Sequence, residues 1–131
     1  MVEVIAFDPV EALVTNYLYD RLGDGTDVST NVPIPRKGRF VTLSSAGGGD
    51  RNIVLSSRMV IIQAWDNDEV EASRLAEACF AIMKASKRDP AEPRIREVLT
   101  VSTPYSFRDP ESKMPRYQWI QQFDIRGHVL R

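Results

Sequence analysis

Residues 39–65 read RFVTLSSAGGGDRNIVLSSRMVIIQAW, and this stretch decides the fold. Two apolar runs, Phe40 to Ser44 and Met59 to Trp65, flank a triple glycine and a polar cluster. β-Branched and aromatic side chains suit strands, whereas Gly, Asp and Asn suit turns. The pattern predicts a long β-hairpin with a mobile, glycine-flanked tip. Met59-Val60-Ile61-Ile62 is continuously apolar, which predicts a strand buried on both faces and central in its sheet. The connection is too long for a two-residue turn. Ile53-Val54-Leu55 within it either extends an arm or docks elsewhere.

Helices flank the hairpin. On its N-terminal side, Asp8-Pro9-Val10-Glu11 predicts a helix start. Asp8 is placed to cap free amides, Pro9 suits the first helical position, and Glu11 completes an acidic capping box. Val10, Leu13, Val14, Tyr17, Leu18 and Leu22 then recur at helical spacing, and Gly23 stops the run. On the other side, Asp66-Asn67-Asp68-Glu69 supplies caps and negative charge to a second helix. Its buried stripe is Ala72, Leu75, Ala76, Cys79, Ile82 and Met83, with Phe80 at the margin. Glu71, Arg74, Glu77, Lys84 and Lys87 fall on its wet side.

The remaining strands frame this centre. Val28 to Val32 is a short strand stopped by Pro33 and Pro35, which suits an edge position. Arg36 to Arg39 is a basic connector. After the linker prolines Pro90 and Pro93, Ile95 to Thr103 alternates as a strand, and Pro104 to Pro110 reads as a loop. Tyr117 to Leu130 is a long final strand. In it Tyr117, Trp119, Phe123 and Ile125 point one way, and Gln118, Gln122, Asp124 and Arg126 mostly the other. That glutamine-rich face suggests solvent or a polar partner. The order predicts one α+β domain over residues 1–131, a mainly antiparallel sheet with two helices on one face and a long hairpin extension.

Composition narrows the function classes. The 131 residues suit a single domain with one core. Seventeen Lys and Arg against eighteen Asp and Glu leave a net charge of −1, which does not favour a DNA-reading module. The single cysteine, Cys79, rules out an intramolecular disulfide and reads as a small core residue. No secretory signal opens the chain, and no apolar run approaches the roughly 20 residues of a membrane span. A soluble protein made in a reducing compartment is expected.

Catalytic signatures are weak. Gly47-Gly48-Gly49 is followed by Asp50-Arg51-Asn52 and strand-like residues, whereas a phosphate-binding loop needs a helix there. Asp20, Asp24 and Asp27 lack the spacing of a calcium loop and read as a solvated turn. His128 is the only histidine, so no His-based triad or metal pair assembles from sequence. Asp109 and Glu111 lie in a proline-rich loop. No enzyme, cofactor or metal is expected.

Three segments carry a resemblance. GGGDRNIVL (residues 47–55), WDNDEVEASRLAEA (65–78) and DPESKMPRYQW (109–119) resemble, in this order, tail terminator proteins of long-tailed bacteriophages, in the form common among phages of actinobacteria. The sequence departs from that pattern at Ser57, where many relatives have proline, and at Lys113, where glycine is usual. The resemblance implies a structural virion protein assembled in the host cytoplasm. It would form a ring, usually hexameric, on the head-proximal end of the tail tube. Its partners would be other copies of itself, the major tail tube protein and the head-side connector or stopper, with genomic DNA passing through the lumen. Another neck protein, an adaptor or stopper, is the alternative. Asp50, Arg51 and Asn52 are the expected inter-subunit or tube contacts, and Arg116 braces the loop before the last strand.

Overall fold

The computed structural model describes residues 2–131. The elements in order are β1 (Ile5–Ala6), α1 (Val10–Leu22), β2 (Asp27–Ser29), β3 (Arg39–Asp50), β4 (Leu55–Asp66), α2 (Glu69–Ala85), β5 (Ile95–Ser106), β6 (Arg116–Arg126) and β7 (His128–Val129). A single turn of 3-10 helix, Ser86–Arg88, extends α2. Five strands form one sheet in the order β2-β3-β4-β6-β5, and β1 pairs with β7 separately. Only the β2–β3 pairing in the large sheet is parallel. The architecture is α+β, as the alternation of patterns predicts.

The hydrophobic strand Met59 to Trp65 takes the central place, hydrogen-bonded to β3 on one side and β6 on the other. Every second residue of it, Val60, Ile62 and Ala64, joins one core with Val41 and Leu43 of β3 and Trp119, Phe123 and Ile125 of β6. The predicted stripes of both helices enter the same core: Val10, Leu13, Val14, Tyr17 and Leu18 from α1, and Ala72, Leu75, Ala76, Cys79 and Met83 from α2. Phe80 is buried with them. Both helices therefore cover one face. The opposite face has only a small second cluster, Phe40, Trp65 and Met114, with Phe40 and Trp65 stacked 5.0 Å apart.

Several details depart from the sequence reading. Asp8 does not cap α1; Pro9 occupies the capping position without a side-chain bond, and Asp8 pairs instead with Arg94 at 2.9 Å. Glu11 does not reach back to the cap but accepts from the Ser45 amide at 3.3 Å. For Asp8 the reason is electrostatic: a carboxylate beside an arginine gains more than one beside a neutral amide. At α2 the expected cap is present: Asp68 accepts from the amides of Val70 and Glu71. Gly23 ends α1 in the left-handed conformation, with its amide bonded to Tyr19.

The glycines are not the hairpin tip. Gly48 and Gly49 lie within β3, opposite Arg58 and Ser57, beyond a bulge that starts at Ser45. Gly48 has φ 145°, and a Cβ there would sit 2.0 Å from the Ser57 carbonyl oxygen. The glycine is thus required by strand packing. The turn itself is residues 51–54.

β5 is longer than predicted and runs through Pro104 to Ser106. As an edge strand with register irregularities around Ser102 and Tyr105, it accommodates the missing amide of Pro104. The last strand is conversely interrupted at Gly127, where a Cβ would lie 2.7 Å from Ile5 and 2.9 Å from the Ala6 carbonyl oxygen. β2 is confined to Asp27–Ser29 and lies at the sheet edge.

Candidate interaction surface

The face of the sheet that the helices leave uncovered carries a continuous polar row. Register places Thr42 of β3, Gln63 of β4, Gln118 of β6 and Tyr105 of β5 in one row across four strands. Their side chains form a continuous hydrogen-bonded series. Trp65 Nε1 donates to Thr42 Oγ1 at 3.0 Å, and Thr42 Oγ1 to Gln63 Oε1 at 3.1 Å. Gln63 Nε2 donates to Gln118 Oε1 at 2.7 Å, and Gln118 Nε2 to the Tyr105 hydroxyl at 2.6 Å. Next to this row lies an apolar strip of Ile61, Ile120, Met59 and Leu99 on the same face. Leu99 is exposed and the other three are half-buried.

The glutamine pattern of the last strand thus belongs to this face, except for Gln121. That residue points into the core, where its Oε1 accepts from Trp119 Nε1 and its Nε2 donates to the Phe80 carbonyl oxygen. It shares the inward parity of Trp119 and Phe123, a position the sequence reading did not assign to it. Its burial costs little because both ends are bonded.

One end of the bare face is a recess of about 430 Å³ beside Trp65, lined by Arg36, Gln63, Asp109, Glu111 and Arg116 among others. The Arg36 and Arg116 guanidinium groups lie 5.4 and 4.9 Å from the Trp65 ring centre. Arg116 also stacks on Phe107 at 4.7 Å and donates through Nε to the Phe107 carbonyl oxygen at 2.7 Å. It therefore ties the start of β6 to the loop that precedes it. Burial pulls its guanidinium below the ordinary arginine range, and the nearby Asp109 carboxylate opposes that pull.

The other end carries the turn. Asn52 Oδ1 accepts from the amides of Val54 and Leu55, both at 2.9 Å, which shapes the turn from within. Arg51 reaches Asp124 of β6 at 3.1 Å, and the Gly127 amide bonds the Val54 carbonyl oxygen. The expected mobile tip is thus corrected: the turn is tied back to the end of β6 by an ion pair and a main-chain hydrogen bond. Asp50 at the end of β3 and Ile53 in the turn are exposed, Ile53 at 80%. The four contact candidates do not converge, since Asp50, Arg51 and Asn52 sit at one end of β4 and Arg116 at the other.

Residues of catalytic type have other uses here. Cys79 is fully buried, and burial pushes its thiol up to about 12. Asp24 accepts from the Thr26 amide, and Asp27 pairs with Lys37 at 2.7 Å. His128 is exposed on β7, paired with Ala6 of β1. Among the described residues no three His, Cys, Asp or Glu side chains come together as a metal site. No helix among them is long and apolar enough to cross a membrane.

A five-stranded sheet with both helices on one face and a bare, glutamine-lined second face defines the class: an α+β domain with an open sheet. Neither models of protein families nor curated proteins match the chain. Among solved structures it is similar to a chain described as "Virion of native gene transfer agent (GTA) particle", with 17% identity and a TM-score of 0.65. The alignment covers 92% of this chain and 100% of the other. At that identity the likeness establishes the shared fold.

Proposed function

We propose that the protein is a structural component of a phage-like virion, a tail terminator that forms a ring on the head-proximal end of the tail tube. The observation that carries this reading is the end-to-end likeness in fold to a chain of a gene transfer agent virion, covering 92% of this chain. The three sequence segments that resemble tail terminators point the same way. The ring stops tube polymerisation and offers its far surface to the head-side connector or stopper, while DNA passes through the lumen. Subunits meet head to tail around the ring, so two different patches of one chain must be complementary. In this reading Asp50 and Ile53 make the contacts at the turn, Arg51 and Asn52 hold the turn in shape, and Arg116 braces the opposite loop. The role is non-enzymatic.

Electron microscopy of tails assembled without this protein tests the reading. Over-long tubes are the expected result. Tubes of normal length would overturn it, and normal-length tails detached from heads would assign the protein to an adaptor or stopper position instead.

A further inference from the structure

A groove of about 590 Å³ lies where the start of β5 meets the junction of β6 and β7, lined by Asp8, Pro93, Arg94, Arg96, Arg126, Gly127 and His128. It lies apart from the recess at Trp65, which Arg116 lines at the opposite end of β6. The main chain holds its walls together, because the Arg126 amide donates to the Arg94 carbonyl oxygen at 2.8 Å. Its cations are not equivalent. Arg94 is satisfied internally, by Asp8 at 2.9 Å and by both carboxylate oxygens of Glu92 at 2.6 and 2.7 Å. Arg96 and Arg126 are exposed and make no ion pair among the described residues.

Two unpaired guanidinium groups in one groove are a receptor for carboxylates, which arginine engages through two parallel hydrogen bonds. The surroundings restrict the source of those carboxylates. Asp8 lines the groove, Glu92 adjoins it through Arg94, and Glu97 follows Arg96 in β5, so the positive field is local. A nucleic-acid backbone needs a longer basic track than two arginines provide. Pro93 and Gly127 add a surface without charge against which a polypeptide backbone can lie.

We propose that this groove binds a short, extended acidic segment of a partner protein, with Arg96 and Arg126 each taking a carboxylate. The proposal is independent of the place of this protein in a virion. It is tested on the full chain by fluorescence anisotropy at low ionic strength, with a labelled peptide of alternating Glu and Gly. The matching Gln–Gly peptide and a short DNA duplex serve as comparisons. The acidic peptide should bind. The Arg96→Glu/Arg126→Glu double variant should weaken it at least about tenfold, the size expected from losing a charge-assisted hydrogen bond. Lys84→Glu on the exposed side of α2 should leave binding unchanged, and circular dichroism verifies that each variant folds. Absence of peptide binding, equal binding by the double variant, or preference for the duplex would each overturn the proposal.

Discussion

Asp124 stands on the bare face of β6 with its side chain only 7% exposed, held by Arg51 at 3.1 Å and the Ser57 hydroxyl at 2.5 Å. A buried carboxylate that loses its counter-ion retains the full cost of leaving water. Arg51→Ala should therefore destabilise the fold by about 1–3 kcal/mol, the usual range for an unsatisfied buried group. Adding Asp124→Asn should recover part of that loss. Chemical denaturation of the two variants measures both effects, and an unchanged midpoint for Arg51→Ala would mean that water replaces the guanidinium. Ser57 matters in the same way: its hydroxyl makes a bond that a proline at this position could not. Lys113 offers the opposite case. It is the only non-glycine residue among those described with a positive φ, at 63°. The left-handed conformation costs a side-chain-bearing residue roughly 1–2 kcal/mol, and glycine loses about 0.5–1 kcal/mol of chain entropy on folding. Lys113→Gly should thus stabilise by about 0.5–1 kcal/mol, read as a rise in the denaturation midpoint. The resemblance to relatives with glycine at this position had marked it, whereas the Arg51–Asp124 pair, 73 residues apart, left no local signal.

Among the elements, α1 is fastened to the segment after α2 by one carboxylate. Asp89 accepts from Arg21 and from the Tyr17 hydroxyl, the latter at 2.7 Å. The Arg21 guanidinium, with help from Tyr17 and the Ala91 amide, lowers its pKa from 3.8 to about 2. A depressed carboxylate stabilises the fold above its unfolded-state value and loses that contribution as pH falls through the folded value. The fastening is therefore complete above about pH 4 and disappears between there and about pH 2. Denaturation midpoints for wild type and Asp89→Asn should differ at neutral pH and converge across that window. A constant difference would assign the stabilisation to packing. The helices and the central strand were legible because hydrophobic periodicity determines them. The extent of β3 and β5 was not, because glycine and proline normally mark turns. Here Gly48 meets a close backbone approach from β4, and Pro104 lies on an edge. Both are strand uses of turn residues, settled by the pairing of strands and not by local pattern.

At the scale of the whole molecule, composition and element order were sufficient for an α+β domain with its helices on one face. They left open the parallel β2–β3 pairing, and the pairing of β7 with β1 from the opposite end of the chain in place of the main sheet. The polar residues of the last strand were legible as a face but not as a connected row. Individual contacts of the surface were least legible. Arg51 and Asn52 look like free turn residues in sequence, yet each is bonded within the chain. Beside them, Asp50, which the glycine-rich segment had marked, and Ile53 are exposed. The row from Trp65 to Tyr105 has a further consequence. An indole nitrogen can only donate, so Trp65 fixes Thr42 as an acceptor at the start of the row. Thr42 gives its hydrogen to Gln63, Gln63 an amide hydrogen to Gln118, and Gln118 one of its own to Tyr105. The series behaves as an arrow drawn across four strands. At its head the Tyr105 hydroxyl, 42% exposed on the outermost strand, still has its own hydrogen to give. An acceptor brought to that edge would extend the series by one more bond.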